Sequence, residues 1–220
     1  MAGKSAWHRW KGNAFMPEEK RPEIVVFSGP NGSGKSTITA TLRPLHLDYI
    51  NADDIKRILQ CTDLEAAQLA ERQREEHVRN GTPFCFETVM STRRNLDLLR
   101  RAKPRFFIRV QIVVTVNSSI NVARVHGRVL AGGHDVPVDK IRSRYVRSMA
   151  LVKEVVAVAD VCNIFDNSFD QPVRFFNKKK DRLYYETVPL WSLEEIQQLT
   201  GQQKNLQTRN LNQQNLFGSC

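Results

Sequence analysis

The chain has 220 residues, of which 41% are hydrophobic and 25% charged, and its formal net charge is +10. This length suits one compact domain with at most a small appendage, and the apolar content excludes a chain that is disordered throughout. A membrane-spanning helix needs about 18 apolar residues, and no apolar run of the chain approaches that length. The polar, basic N-terminus predicts no signal peptide.

Strands and helices are predicted to alternate through the first half of the chain. A polar lead-in over 1–23 precedes a short apolar run that ends in a Gly-rich loop, which is typical of a buried parallel strand. The Thr62-Asp-Leu-Glu65 pattern predicts a capping box at the start of a long helix that Asn80-Gly81 ends. Strands are predicted at 24–28, 49–50, 84–88 and 107–116, and helices at 35–43, from Asp53 or Asp54, at 62–80 and at 93–103.

The second half predicts two helical segments, a strand, a hairpin and a last helix. The helical segments are 118–131 and 138–158, the strand is 162–165, and the hairpin pairs 173–176 with 183–187 around a polar turn at 177–181. A capping box at Ser192 and Glu195 begins the last helix, and the Gln- and Asn-rich tail over 201–220 is predicted to be disordered. We therefore expect an α/β fold over 24–200, with a mainly parallel sheet flanked by helices and a C-terminal β-hairpin.

The positive charge is concentrated in the two helical segments. Residues 118–153 contain seven Lys or Arg against two Asp, a net charge of +5. Such a patch fits a nucleic acid, an anionic membrane surface or a phosphorylated small molecule. The four cysteines are far apart and form no CxxC pair, so neither a zinc site nor a disulfide framework is indicated, and we expect a cytoplasmic protein.

The loop after the first strand matches the phosphate-binding pattern G-x-x-x-x-G-K-[ST], and it lies between a predicted strand and a predicted helix. Its glycines let backbone N–H groups approach phosphate oxygens, and the helix N-terminus adds a partial positive charge. Lys35 is predicted to reach the β- and γ-phosphates, and the Ser36 hydroxyl to bind Mg²⁺. The predicted nucleotide-binding residues are Gly29, Pro30, Asn31, Gly32, Ser33, Gly34, Lys35, Ser36 and Thr37.

Proteins with this loop include GTPases, motor ATPases and kinases. The nearest text to the guanine-binding N-K-x-D pattern is Asn177-Lys-Lys-Lys-Asp181, which has one residue too many and is read instead as a solvated turn. The strand at 107–116 ends in Val116-Asn117 rather than in the acid of a motor ATPase. These two departures favour a kinase for a small molecule or a nucleotide, with ATP or GTP as the donor.

A kinase of this type needs a carboxylate beside the acceptor hydroxyl. Asp53 follows the second strand and is the candidate base, with the alternative that Asp53 or Asp54 only caps the next helix. Glu87 ends the third strand at the same sheet edge and is a second candidate, for substrate binding.

Arginines that neutralise the transferring phosphoryl group are expected in a mobile lid over about 118–158. Arg124 and Arg128 share one helical face, and Arg144 and Arg147 follow the Gly132-Gly133 hinge. For any single one of them, a solvated surface position is the alternative.

This ordered set of motifs resembles the zeta-toxin group of P-loop kinases, over about residues 24–187. The matching segments are 29–37, Asn51-Ala-Asp53, Phe86-Glu-Thr88, 124–128 with 132–137, 144–148 and 166–168. Characterised zeta toxins belong to bacterial toxin–antitoxin pairs and use ATP or GTP with Mg²⁺ to phosphorylate the 3′-hydroxyl of the amino sugar in UDP-N-acetylglucosamine. The resemblance therefore implies that acceptor, and an antitoxin as a possible protein partner.

Carried over by position, the resemblance assigns nucleotide and Mg²⁺ binding to Lys35 and Ser36, the base to Asp53, and the first lid arginine to Arg128. It also implies that Glu87, Thr88 and Arg124 contact the acceptor and that Asn167 borders the adenine ring. Two family features differ: the arginine expected at position 91 is Ser91, and the second lid arginine, which precedes a Thr-Pro step in the family, is replaced by His134 before Val136-Pro137. Arg144 or Arg147 of the next helix is the expected substitute for that second arginine.

Three alternatives remain at this stage. The acceptor is another hydroxyl, such as that of a nicotinamide dinucleotide or a small metabolite; the chain is an ATP-dependent nucleic-acid protein, including a polynucleotide end kinase; or it acts only through a protein partner. Nucleic acid is the least favoured partner, because no basic stripe interleaved with aromatic residues is present.

Overall fold

The computed structural model describes residues 21–133, 135–186, 188–202 and 206–208. The strands are β1 (Glu23–Ser28), β2 (Asp48–Ile50), β3 (Phe84–Thr88), β4 (Phe107–Val114), β5 (Val161–Asp166), β6 (Val173–Lys179), β7 (Arg182–Tyr185) and β8 (Leu206–Thr208). The helices are α1 (Lys35–Leu42), α2 (Ala52–Leu59), α3 (Asp63–Asn80), α4 (Arg93–Ala102), α5 (Ser118–Leu130), α6 (Val138–Val158) and α7 (Leu193–Thr200).

The strands form one sheet in the order β2-β3-β1-β4-β5-β6-β7-β8. The first five are parallel, β6 and β7 are antiparallel to their predecessors in the sheet, and β8 is parallel to β7. The predicted mainly parallel sheet and C-terminal hairpin are therefore confirmed. Because β1 lies between β3 and β4, the loop that follows β1 leaves the sheet at its topological switch point, where α/β proteins bind ligands.

Both faces of β1 are covered, as its continuous apolar sequence predicts. Ile24 and Val26 belong to a core cluster that includes residues of α4 and α6. Val25 and Phe27 belong to a second cluster, which includes Ile38 of α1. The period of two along the strand thus anchors the loop after β1 to helices on both faces.

The two predicted capping boxes are present. The Thr62 hydroxyl accepts from the Glu65 backbone N–H at 3.3 Å, and the Glu65 carboxylate accepts from the Thr62 N–H at 2.9 Å. Ser192 and Glu195 make the same reciprocal pair at the start of α7. Gly81 ends α3 with a φ of 71°, so Asn80-Gly81 ends the helix as predicted.

The predicted turn at 177–181 is wrong in length. β6 continues to Lys179 and β7 begins at Arg182, so only Lys180 and Asp181 form the turn. The polar residues enter the strand because the backbone pairs with β5, while the Lys178 ammonium donates to the Val156 carbonyl at 2.8 Å. Thr187, which the hairpin prediction included, lies outside the described residues.

The predicted disorder of the tail is wrong for residues 206–208, which form β8. They pair with the open edge of β7, whose backbone N–H and C=O groups otherwise lack strand partners on that side. The other residues of the tail beyond Gln202, and the lead-in before Arg21, lie outside the described residues. Within the described ranges, no helix is both long enough and apolar enough to cross a membrane.

Candidate active site

The loop between β1 and α1 is held by close backbone contacts that only glycine allows. Gly32 and Gly34 have φ values of 76° and 88°, in the left-handed region. A Cβ on Gly32 would overlap the Asn121 backbone of α5, and one on Gly34 would overlap the Asn167 side-chain amide. The glycines of the phosphate-binding motif therefore fit the loop between α5 and the residue that follows β5.

Both helices of the predicted lid contact Asn31 in this loop. The Asn121 amide of α5 donates to the Asn31 carbonyl at 2.6 Å, and the Arg144 guanidinium of α6 donates to the Asn31 side-chain oxygen at 3.3 Å. The Thr115 hydroxyl donates in turn to the Asn121 side chain, which is fully buried. The sequence analysis did not identify Asn121. An asparagine one turn after the N-cap residue Asn117 is the only signal for it in the sequence.

Lys35 lies at the centre of the predicted charged residues. Its ammonium donates to the Pro30 carbonyl at 3.2 Å. Burial lowers the pKa of Lys35, the Glu87 and Asp53 carboxylates oppose that shift, and Arg128 and Arg144 add to it. The structure thus brings Lys35, two carboxylates and two arginines within electrostatic reach of one another, as a site for a polyanion requires.

The capping role considered for Asp53 or Asp54 is wrong. Asn51 is the N-cap of α2, and its side-chain oxygen accepts from the Asp53 backbone N–H at 2.9 Å. Asp54 pairs with Arg57 at 3.0 Å, whereas Asp53 is exposed in the first turn of the helix. Because an asparagine already fills the cap position, the Asp53 carboxylate is not needed to begin the helix.

Ser36 and Glu87 meet at the nucleotide end of the site. The Ser36 hydroxyl donates to the Glu87 carboxylate at 3.3 Å, which leaves the lone pairs of the serine oxygen for another ligand. A hydroxyl and carboxylates are oxygen ligands of the kind that Mg²⁺ takes, usually with several waters. The residues present therefore fit the ion, although no group of three or more His, Cys, Asp or Glu with metal-site geometry occurs among the described residues.

Tyr49 joins this group, and sequence reasoning missed it as well. The Asn51 amide donates to its hydroxyl at 2.8 Å. Burial and the neighbouring Glu87 raise the pKa of Tyr49 well above its usual value, so the phenol keeps its proton. Its place at the carboxyl end of β2, two residues before Asn51, is the only sequence signal for it.

Thr88 lies next to Glu87, but its hydroxyl oxygen makes contacts within the chain. It accepts from the Met90 backbone N–H at 3.0 Å and from the Asn95 side chain at 2.8 Å. These bonds order the turn between β3 and α4. Met90, in that turn, has a φ of 52°.

Arg124 and Asn167 lie together at the other side of the loop. The Arg124 guanidinium donates to the carbonyls of Asn167 and Phe169 at 2.6 and 3.0 Å. The Asn167 amide donates to the Ser33 carbonyl at 2.8 Å. A pocket opens here, lined by Gly34, Thr37, Arg124, Asn167, Phe169, Asp170, Gln171 and Pro172. Arg124, expected on the acceptor, is thus placed with the predicted base-binding residue Asn167.

The remaining lid arginines differ in their surroundings. The Gly133 N–H donates to the Arg128 carbonyl at 2.9 Å, and a Cβ on Gly133 would overlap the Arg128 side chain. Arg147 is exposed on α6, whereas Arg144 is partly buried against the loop. His134, which stands where the resemblance expects the second lid arginine, lies outside the described residues.

Comparison of sequences finds an uncharacterized relative and one short match to a kinase. No family model matches the chain. An uncharacterized protein of Haemophilus influenzae is 25% identical over 129 residues, which cover 56% of this chain and 92% of that protein. A guanylate kinase of Streptomyces kasugaensis is 46% identical over 37 residues, 17% of this chain and 18% of the kinase.

Comparison of structures extends over most of the chain. A chain of the AvrRxo1-ORF1:AvrRxo1-ORF2 complex with sulphate ions superposes with a TM-score of 0.62 and 15% identity, over 82% of this chain and 64% of that one. A chain of the PezAT chromosomal toxin–antitoxin system of Streptococcus pneumoniae superposes with a TM-score of 0.56 and 13% identity, over 88% of this chain and 84% of that one. These matches show the fold alone: a mostly parallel sheet flanked by helices, here with the phosphate-binding motif in the loop between β1 and α1.

Proposed function

We propose that the chain is a phosphotransferase that moves the γ-phosphoryl group of ATP or GTP to a hydroxyl of a small molecule. The observation that carries the proposal is the loop with the phosphate-binding motif, at which Ser36 bonds to Glu87 and Arg144 bonds to Asn31. The charges of Asp53, Glu87, Arg128 and Arg144, which come from four different elements, also act on the pKa of Lys35. A phosphate-binding lysine, an exposed carboxylate and lid arginines are the parts that phosphoryl transfer requires.

In the proposed reaction, Asp53 takes the proton of the acceptor hydroxyl while the hydroxyl oxygen forms a bond to the γ-phosphorus. The bond from that phosphorus to the bridging oxygen breaks, and the nucleoside diphosphate leaves with the bonding electron pair. Lys35, Arg128 and Arg144 stabilise the negative charge that is shared over the transferring oxygens. Ser36 would hold Mg²⁺, with Glu87 or Asp53 nearby, and the ion would neutralise part of the phosphate charge.

The nucleotide is proposed to bind along the loop from Gly29 to Thr37. Asn167 and Arg124 are proposed to border its base, because they line the pocket next to Gly34. The triphosphate then lies towards Lys35 and Ser36, and the acceptor towards Asp53, Glu87 and Thr88. The expected cellular location is the cytoplasm, where ATP and Mg²⁺ are available.

For the acceptor, we propose UDP-N-acetylglucosamine or a related sugar nucleotide. The support is the motif resemblance together with the fold match to the PezAT chain. That system and the AvrRxo1 complex each pair two proteins, and an antitoxin-like partner over the nucleotide site is proposed on the same grounds. A nicotinamide dinucleotide, a small metabolite or a polynucleotide end remain the alternative acceptors.

An acceptor screen by mass spectrometry with Mg²⁺–ATP tests the proposal. It includes UDP-N-acetylglucosamine, related sugar nucleotides, NAD and short oligonucleotides, each with wild type and with Lys35→Ala. A gain of one phosphoryl group by UDP-N-acetylglucosamine with wild type alone supports the proposed acceptor. A gain only on NAD or an oligonucleotide supports the kinase and overturns the sugar nucleotide as acceptor. A gain that persists with Lys35→Ala overturns the proposed mechanism.

A further inference from the structure

Arg74 is a buried cation whose acidic neighbours are engaged elsewhere. It lies on the inner face of α3 with 8% of the residue exposed, and its Nε atom has no hydrogen-bond partner within the described part of the chain. The two acids that act on it electrostatically, Glu71 and Glu75, form ion pairs with Arg94 and Arg101 of α4. Because a buried donor without an acceptor costs free energy, this side chain calls for a ligand or another explanation.

The Arg74 guanidinium lies against an aromatic ring. Its central carbon is 5.2 Å from the centre of the Phe86 ring, within cation–π distance. This contact stabilises the charge, but a ring offers the N–H groups no lone pair of an oxygen. Burial lowers the pKa of Arg74, and the two glutamates oppose that shift; a guanidinium nevertheless keeps its proton at neutral pH. The side chain is therefore a cation with a donor still to be satisfied.

The direction of α3 brings this cation towards the carboxyl end of β3. The His77 ring lies 5.1 Å from that of Phe84, whereas Arg74, three residues earlier in the helix, lies over Phe86, two residues later in the strand. The helix therefore runs antiparallel to β3. Since helical side chains lean towards the N-terminus of their helix, the Arg74 side chain leans towards the strand end that carries Glu87.

The elements around Arg74 are those that carry the proposed acceptor residues. One and two turns before it, on the same face of α3, are the buried Ala70 and Ala66. Alanine side chains offer no hydrogen-bond acceptor, so they cannot satisfy the guanidinium on that side. Ala52 and Ile55 of α2 pack against the same core cluster. Arg74 thus belongs to a layer formed with α2 and β3, at whose ends the acceptor is proposed to bind.

We propose that Arg74 binds an anionic group of the acceptor, a carboxylate or a phosphate, while Asp53 takes the proton of the acceptor hydroxyl. The inference rests on the proposed function, because that function makes the ligand of this side of the site an acceptor. A planar guanidinium can donate two parallel hydrogen bonds to either group, and such pairs are strong where water is excluded. The acceptor is then negatively charged, as a sugar nucleotide is, and a neutral sugar is a poor substrate.

The test is calorimetric titration of the protein saturated with Mg²⁺–ADP, so that no transfer occurs. The probes are UDP-N-acetylglucosamine for the phosphate, glucuronate for the carboxylate, and uncharged N-acetylglucosamine. Arg74→Met is expected to weaken the binding of one anionic probe tenfold or more, with the affinity for Mg²⁺–ADP unchanged. The probe that loses affinity tells which of the two groups Arg74 binds. The matched control is Arg72→Met, which removes an exposed arginine of the same helix and should bind every probe as wild type does.

Three results would overturn the inference. Wild type binds neither anionic probe; Arg74→Met binds both as wild type does; or its affinity for uncharged N-acetylglucosamine falls by the same factor, which would show a role in shape rather than in charge. Transfer and binding are separate readouts. Loss of anion binding in Arg74→Met, without transfer to any acceptor in the screen, would support the anion site and overturn only the proposed kinase.

The stability of the variant is measured by urea unfolding. Replacement of an unpaired buried cation by methionine is expected to keep or raise the unfolding midpoint of the ligand-free protein. If Arg74→Met is less stable or does not fold, Arg74→Lys decides the matter. It keeps the charge but loses the planar fork, so the same anionic probe should bind about tenfold more weakly. Wild-type affinity of Arg74→Lys for both anions would overturn the inference.

Discussion

The proposed nucleotide side and the proposed acceptor side of the site are held in different ways. On the nucleotide side, the Asn121 backbone of α5 leaves no room for a side chain at Gly32, and the Asn167 side chain, which follows β5, leaves none at Gly34. On the acceptor side, α2 has no fully buried residue, and Ile58 and Leu59 are 69% and 59% exposed. The start of α2 is held instead by side-chain hydrogen bonds of Asn51, which accepts from the Asp53 N–H and donates to the Tyr49 hydroxyl. Close packing therefore holds the phosphate-binding loop, whereas side-chain hydrogen bonds hold the start of α2.

Loss of the central cation should have the largest effect. Lys35→Ala is expected to lower kcat/KM about 10³-fold, because it removes the donor closest to the transferring charge. The control is Lys179→Ala, an exposed lysine of β6, which should retain wild-type turnover. An active Lys35→Ala enzyme would contradict the assignment of the nucleotide side.

The acceptor side is tested by two adjacent carboxylates. Asp53→Asn is expected to lower kcat about 10²-fold by removing the general base, while ATP binding by calorimetry stays unchanged. Asp54→Asn, which only breaks an exposed ion pair with Arg57, should have little effect. Should the two variants exchange these phenotypes, Asp54 is the base.

The close packing around the phosphate-binding loop is tested by adding one methyl group at Gly34. Gly34→Ala places a Cβ on the Asn167 amide at a φ of 88°, so the loop must move and ATP affinity should fall about tenfold or more. Calorimetric titration with Mg²⁺–ATP measures the affinity of the variant and of wild type. Wild-type affinity in Gly34→Ala would show that the cradle is not held by the Asn167 contact.

The two arginines of α6 should differ in importance. Arg144→Ala is expected to lower kcat about tenfold, because Arg144 reaches the loop and acts on the Lys35 site. Arg147→Ala, one turn further on and exposed, should be close to wild type. Equal losses in steady-state assays would assign the effect to the general charge of the helix rather than to Arg144.

The smallest effect is expected where a glycine has space around it. Gly127 lies within α5 and an added Cβ meets no atom within 4 Å. Gly127→Ala should therefore raise the free energy of unfolding by about 1 kcal/mol through helix propensity, with turnover unchanged. A lower urea midpoint would show that α5 does not pack as described.

The sequence predicts the fold and the backbone geometry of the loop after β1 well because their signals are local. The apolar run of β1, the capping boxes at Thr62 and Ser192 and the glycine pattern each specify a backbone geometry within a few residues. Asn121 of α5 contacts Asn31, 90 residues earlier in the chain, and its place one turn after the N-cap Asn117 is only a weak signal of that contact. Tyr49 is likewise indicated only by its place in β2. The partners of β6 and β8 are likewise set by open strand edges rather than by composition, which explains the short predicted hairpin and the missed strand.

Phosphorus NMR of Mg²⁺–ATP with the protein and a mixture of hydroxyl acceptors tests the central claim most directly. It distinguishes transfer to carbon-bound oxygen from hydrolysis. With wild type, the proposed kinase predicts that the signal of the ATP γ-phosphate is replaced by that of a phosphate monoester. With Lys35→Ala, the signal of the ATP γ-phosphate is expected to remain. Conversion to inorganic phosphate alone, in the presence of every acceptor, would show an ATPase and contradict the account.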